Sequence, residues 1–157
     1  MKKVLLLVIG LVFSTNALAT AATTGTLVLS GTVAPVSSIV VTPNGTNNTN
    51  LDLLNGASAV NVASVAETSN DSLGYKINAK SANGGSLKNG SFSVPFTITY
   101  NGGSAVSLTT SDQQVKGISS LAKLTTNSSA VTVTTTANAN LVAGTYSDTV
   151  TFTIVAN

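Results

Sequence analysis

Residues 141–157 read LVAGTYSDTVTFTIVAN. Gly144 opens a turn. From there Tyr146, Asp148, Val150, Phe152 and Ile154 fall on one face, and Thr145, Ser147, Thr149, Thr151 and Thr153 on the other. Such strict period-two alternation predicts a half-buried β-strand. Working outward, Phe92, Val94, Phe96, Ile98 and Tyr100 repeat the pattern between the turn signals Asn89-Gly90 and Asn101-Gly102-Gly103. Leu73, Tyr75, Ile77 and Ala79 repeat it ahead of Asn83-Gly84-Gly85. Ile39-Val40-Val41 before Pro43-Asn44-Gly45, the set Val60, Val62 and Val65, and the pair Val131 and Val133 mark further strands. Pro95, on the outward face of its strand, indicates an edge position or a bulge. Tyr75, Phe92, Phe96, Tyr100, Tyr146 and Phe152 all take inward positions and are expected to fill the core. Only 51–54 and 119–124 have room for a helical turn. About seven or eight short strands at roughly ten-residue spacing predict an all-β, immunoglobulin-like β-sandwich.

The N-terminal segment reads differently. Lys2 and Lys3 precede an apolar run over 4–13, and Ala17-Leu18-Ala19 fits the small-residue cleavage rule. Residues 1–19 are therefore expected to be a secretory signal peptide, cut before Thr20. Ser14, Thr15 and Asn16 end the apolar run short of the roughly 20 residues a membrane span needs. The remainder divides into an arm, 20–34, and a domain, 35–157. Within the arm, 26–33 alternates, with Leu27, Leu29, Gly31 and Val33 on one face, until Pro35 interrupts. An exported chain with one alternating segment at its mature N-terminus and another at its end is expected to trade strands with its neighbours.

Composition narrows the chemistry. The chain has no histidine, cysteine, arginine or tryptophan. Ser/His/Asp and Cys/His nucleophilic sites are thereby excluded, and zinc, copper and haem lose their usual ligands. None of the five acidic residues has a recognisable catalytic context. No catalytic residue, metal site or cofactor is expected, and the chain is not read as an enzyme. Asn44, Asn47, Asn48, Asn50 and Asp52 read as turn formers rather than calcium ligands, which need more charge. Removing Lys2 and Lys3 leaves lysines and acidic residues in balance, so the basic pI belongs to the targeting segment. Nucleic-acid binding, which rests on phosphate neutralisation, has no basis here. A mature chain of about 138 residues suits one domain.

Three segments resemble subunits of chaperone–usher pili and related secreted fimbrial proteins, including the spore-coat-U-like group. They are the arm with 36–42, the run from Gly74-Tyr75-Lys76-Ile77 to Thr99-Tyr100, and the Gly144-x-Tyr146-x-Asp148 turn with its strand. The resemblance implies an incomplete immunoglobulin-like fold, completed by the N-terminal arm of the next subunit through strand addition. It implies that Leu27, Leu29, Gly31 and Val33 are donor-arm positions and that Val150, Phe152 and Ile154 line the acceptor groove. It implies a structural subunit of a surface fibre in adhesion or biofilm formation. Its partners would be copies of itself or other fibre subunits, a periplasmic chaperone, an outer-membrane usher, and a host or cell-surface receptor. Localisation would pass through the periplasm to the cell surface or an extracellular fibre. Many such pilins carry a cysteine early in the first strand, where this chain has Ser37 and Ser38. The competing expectation is a self-complete secreted β-sandwich that binds a carbohydrate or protein partner.

Overall fold

A computed structural model describes residues 23–157. The expected signal peptide, 1–19, and Thr20 lie outside the described residues. The chain divides into two units, Met1–Thr32 and Val33–Asn157. In the first, the described residues 23–32 are exposed and belong to no strand. The alternation over 26–33 therefore forms no ladder within this chain.

The second unit is all-β, with no helix among the described residues. Its strands are β1 Ser37–Pro43, β2 Val60–Ser69, β3 Tyr75–Ser81, β4 Ser86–Asn89, β5 Phe92–Tyr100, β6 Ala105–Val106, β7 Gln113–Ile118, β8 Thr125–Thr135 and β9 Val150–Ala156. One sheet has the order β1-β2-β8-β5-β4, with the short β6 on β5, and the other has the order β7-β3-β9. Every pairing is antiparallel. Residues of both sheets, including Val65, Ile98 and Val131 from the larger and Tyr75, Ile77 and Ala79 from the smaller, form one buried core. That shared core makes the fold a β-sandwich. Residues 53–55 form a turn without a helix, and 119–124 is not helical.

Alternation explains most of this. In β3, Tyr75, Ile77, Ala79 and Ser81 are buried and the residues between them are not. In β5, Val94, Phe96, Ile98 and Tyr100 are buried in the same way. Two aromatic assignments fail. Phe92 is exposed, because it follows the Asn89-Gly90 turn and lies beyond the β5–β8 ladder, which starts at Phe96↔Thr135. Tyr146 is only half-buried in the loop before β9, which starts at Val150 rather than at Tyr146. Leu73, which the alternation places in line with Tyr75, is exposed in the turn before β3. Pro95 sits just past the β8 ladder and pairs only with Ser86, so its missing N–H breaks no bond to β8.

Gly74 ends the β2–β3 connection with φ +82°, and a Cβ there would collide with the Ile118 carbonyl oxygen. Gly90, at φ +58°, has open space around it. Gly90→Ala should therefore cost only the left-handed penalty, about 1–2 kcal/mol. Gly74→Ala adds a backbone clash and should cost more than about 3 kcal/mol. Denaturant midpoints of the two variants would check this, and equal midpoints would refute it.

Candidate functional site

β9 is hydrogen-bonded to β3 alone, and β1 to β2 alone, so each has one unpaired edge among the described residues. The two strands lie in contact with no ladder between them. An apolar cleft of about 210 Å³ opens into the core here. Val41 and Pro43 of β1 flank it on one side, and Val150 and Phe152 of β9 on the other. Its floor comes from β2, β5 and β8, through Val62, Phe96, Ile98, Val131 and Val133, with Leu87 of β4 beside them.

The start of β9 is fixed by polar contacts. Asp148 Oδ2 accepts from Ser81 Oγ at 2.5 Å, and Oδ1 accepts from the Asn83 amide at 2.9 Å. Ser81 Oγ in turn accepts from the Gly85 amide at 2.6 Å. The Gly144-x-Tyr146-x-Asp148 turn thus anchors β9 to the β3–β4 turn and holds Val150 in the cleft wall. Tyr146 supports its own loop by donating to the Val142 carbonyl at 3.0 Å.

Deeper in the core, Glu67 of β2 is fully buried. Its Oε1 accepts from Tyr100 at 2.6 Å and Ser129 at 2.7 Å, and its Oε2 from Tyr75 at 2.7 Å and Lys116 Nζ at 2.8 Å. The donors come from both sheets, so the carboxylate ties them together. Burial works to raise the Glu67 pKa, but the bonds from Lys116, Tyr100, Ser129 and Tyr75 outweigh it and hold it below the ordinary range. Burial, and the neighbouring Glu67 charge, push the Tyr75 and Tyr100 phenols up. With four donors on an inaccessible, ionised carboxylate, the cluster offers no group to a substrate and serves to hold the sheets. Tyr100 also packs against Phe152, ring centroids 5.7 Å apart, linking the cluster to the cleft wall.

No family model matches the sequence, and neither the curated proteins nor the solved structures give a significant match.

Val150 and Phe152 line the cleft, while Ile154 packs half-buried on the core outside the cleft lining. Leu27 is 82% exposed, Leu29 83% and Val33 85%, and a Cβ added at Gly31 would face open space. Sequence reasoning missed the β1 wall, Val41 and Pro43, and the Glu67 cluster. The signal for Glu67 was its inward position two residues after Val65.

The Glu67 cluster sets an acid limit. A carboxyl whose folded pKa is depressed contributes stability that is present above its ordinary pKa, about 4.3, and lost as pH falls through the lower folded value. The wild-type domain should therefore weaken on acidification below about pH 4.3. Glu67→Gln should flatten that loss and, by leaving Lys116 unpaired, lower neutral-pH stability by about 3 kcal/mol. Urea midpoints from neutral to acid pH would check it. An unchanged acid slope in the variant would refute it.

Proposed function

We propose that this chain is a structural subunit of an extracellular surface fibre that polymerises by donating residues 26–33 to the cleft of a neighbouring copy. The observation that carries this is the pairing of features: an exposed, alternating arm that joins no ladder, and an apolar cleft beside the unpaired edge of β9. An unpaired strand edge over an apolar cleft is a template for another strand. Backbone bonds to β9 would supply affinity, and Leu27, Leu29 and Val33 would enter the cleft as alternating knobs. The strand order supports an incomplete immunoglobulin-like sandwich. β1-β2-β8-β5 corresponds to the A-B-E-D sheet and β3-β9 to C-F, with no strand in the G position among the described residues.

Insertion has a mechanical requirement. A strand placed between β9 and β1 would need about 9–10 Å between them, two ladder spacings, whereas β1 and β9 approach within contact. β1 would have to swing outward. As an edge strand held only by β2, it can do so without breaking a second ladder. The resemblance to chaperone–usher subunits supports export through the periplasm, a chaperone and usher as assembly partners, and a role in adhesion or biofilm formation. A carbohydrate-binding sandwich gains no support from aromatic placement, since Phe92 is the one exposed aromatic among the described residues.

Removing 20–33 should leave a folded monomer that captures a synthetic peptide of residues 23–34. Long fibres from the truncated chain would sink the proposal. Phe152→Asp would put a charge in the cleft wall and should abolish both peptide capture and multimers. Thr151→Asp, on the exposed neighbouring position, should be far milder. Equal behaviour of the two, read as multimer yield on gels run without heating, would show that β9 is not a wall of the acceptor.

A further inference from the structure

The exposed apolar side chains outside the arm and the cleft gather mostly at the two ends of the sandwich, with Val40 of β1 and Val155 of β9 on outward faces the exceptions. One end is where the chain passes into β1. There Val36 N is held by Asn70 Oδ1, Ser37 pairs with Ser69, and Ser69 with Thr125. Leu73 and Leu124, 63% and 57% exposed, project at this end. The opposite end carries the 51–54 and 141–146 loops, which line one hollow, and Asn138 N, just ahead of the second loop, donates to the Leu53 carbonyl. Leu54 is 56% exposed there, and Val142 is exposed too. Both line a hollow of about 430 Å³ with Leu141 and Tyr146. This hollow adjoins a second one, lined largely by polar residues such as Asn48, Thr49, Asn50 and Ser147, which shares Leu87 and Asp148 with the cleft.

The direction of strand addition decides which ends meet. Every ladder here is antiparallel. A donor strand antiparallel to β9 runs from the Ala156 end towards the Val150 end. Its C-terminal residue, Val33, then emerges beside the 51–54 and 141–146 loops, and the donor's own domain follows a few residues later.

Resting on the donor-strand reading, we propose that the end bearing Leu73 and Leu124 of one copy seats against the hollow bearing Leu54, Val142 and Tyr146 of the next. The occupant of the hollow is thus a second copy of this chain. The two surfaces differ, so the contact is heterologous. It does not close on itself and generates an open filament. Polar rims agree with the pairing, since exposed Lys123 lies beside Leu124 and Asp52 borders the hollow. Asp71 at the Leu73 end accepts from the Leu73 amide at 2.9 Å, and Asp52 accepts from the Asn55 amide at 3.0 Å and its side-chain amide at 2.8 Å; both keep their charge, so the match of rims rests on Lys123 against Asp52, with Asp71 opposing it. The interface would convert a chain of beads on flexible links into a filament with a fixed angle between subunits.

Multimers assembled from the mature chain would be dissociated by heating, and capture of the 23–34 peptide measured in parallel. Leu54→Lys with Val142→Lys, or Leu73→Glu with Leu124→Glu, should lower the dissociation temperature while leaving peptide capture unchanged. The uncharged pair Leu54→Ser with Val142→Ser should shift it in the same direction. Combining the lysine and glutamate pairs in one chain should restore the temperature, because each junction then brings lysines against glutamates. An unchanged dissociation temperature in the Leu54 and Val142 variants, or no restoration in the combined variant, would overturn the interface. Failure of the wild-type domain to capture the peptide would instead overturn the donor-strand reading and remove the interface with it.

Discussion

Glu67 is the side chain on which the arrangement of the two sheets depends. A charge inside an apolar sandwich is tolerated only when its acceptor positions are filled, and here two tyrosines, a serine and a lysine fill them. Because Tyr75 and Lys116 come from one sheet, and Tyr100 and Ser129 from the other, the sheets cannot slide without breaking charged hydrogen bonds. Such a cluster adds less net stability than apolar packing would, but it selects one relative placement. Tyr100 passes that placement on, since its ring meets Phe152 in the cleft wall. The sandwich is thus tied by polar bonds near the Leu73 end and left open as an apolar cleft towards the other. With no cysteine in the chain, no disulfide shares this task.

Edges are the second constraint. The outward positions of β2 and β8 carry small polar residues, and Ser64–Ser128 and Thr68–Thr126 pair their hydroxyls at 2.9 Å. That face is finished as a solvated surface. The free edges of β1 and β9 are not finished in this way. Soluble proteins usually blunt such edges with charge, proline or a covering loop. Here Pro43 closes the end of β1, and β9 presents Val150, Thr151, Phe152, Thr153 and Ile154 without a charge. An edge left this open is a cost to solubility unless a strand comes to fill it, which favours the fibre reading over a self-complete sandwich.

The sandwich itself was legible because its central strands obey period two: β3, and β5 from Val94 onward, bury every second residue as their sequences imply. Legibility fell where the ladder is irregular. β2 has a register shift between Asn61 and Ala63, which places Val62 and Ala63 both inward and obscures that Glu67 shares their side. β7, Gln113–Ile118, was missed because it is a polar, half-exposed edge strand whose pairing with β3 also shifts, between Ile77 and Asn78. Phe92 was misassigned because alternation alone cannot show where a strand outruns its neighbour. At the cleft, Val150 and Phe152 were legible from their own strand, whereas Val41 and Pro43 were not. Their place there depends on β1 facing β9, a long-range relation with no local pattern.

The arm presents the converse case. Its alternation is broken only by Val28, yet residues 26–32 form no ladder in their own chain. Period two makes a strand only when one face meets an apolar surface and the backbone meets an unpaired edge. Leu27, Leu29 and Val33 have neither, and each leaves most of its apolar surface in water. At roughly 25 cal/mol per Å² of apolar area, burying three such side chains would contribute several kcal/mol to any contact that covered them. The cleft between β1 and β9 offers both things the arm lacks, in a copy of the same sequence. The proposed assembly therefore depends less on either surface than on their fit. One has a pattern without a partner, and the other an edge and a cavity without a strand.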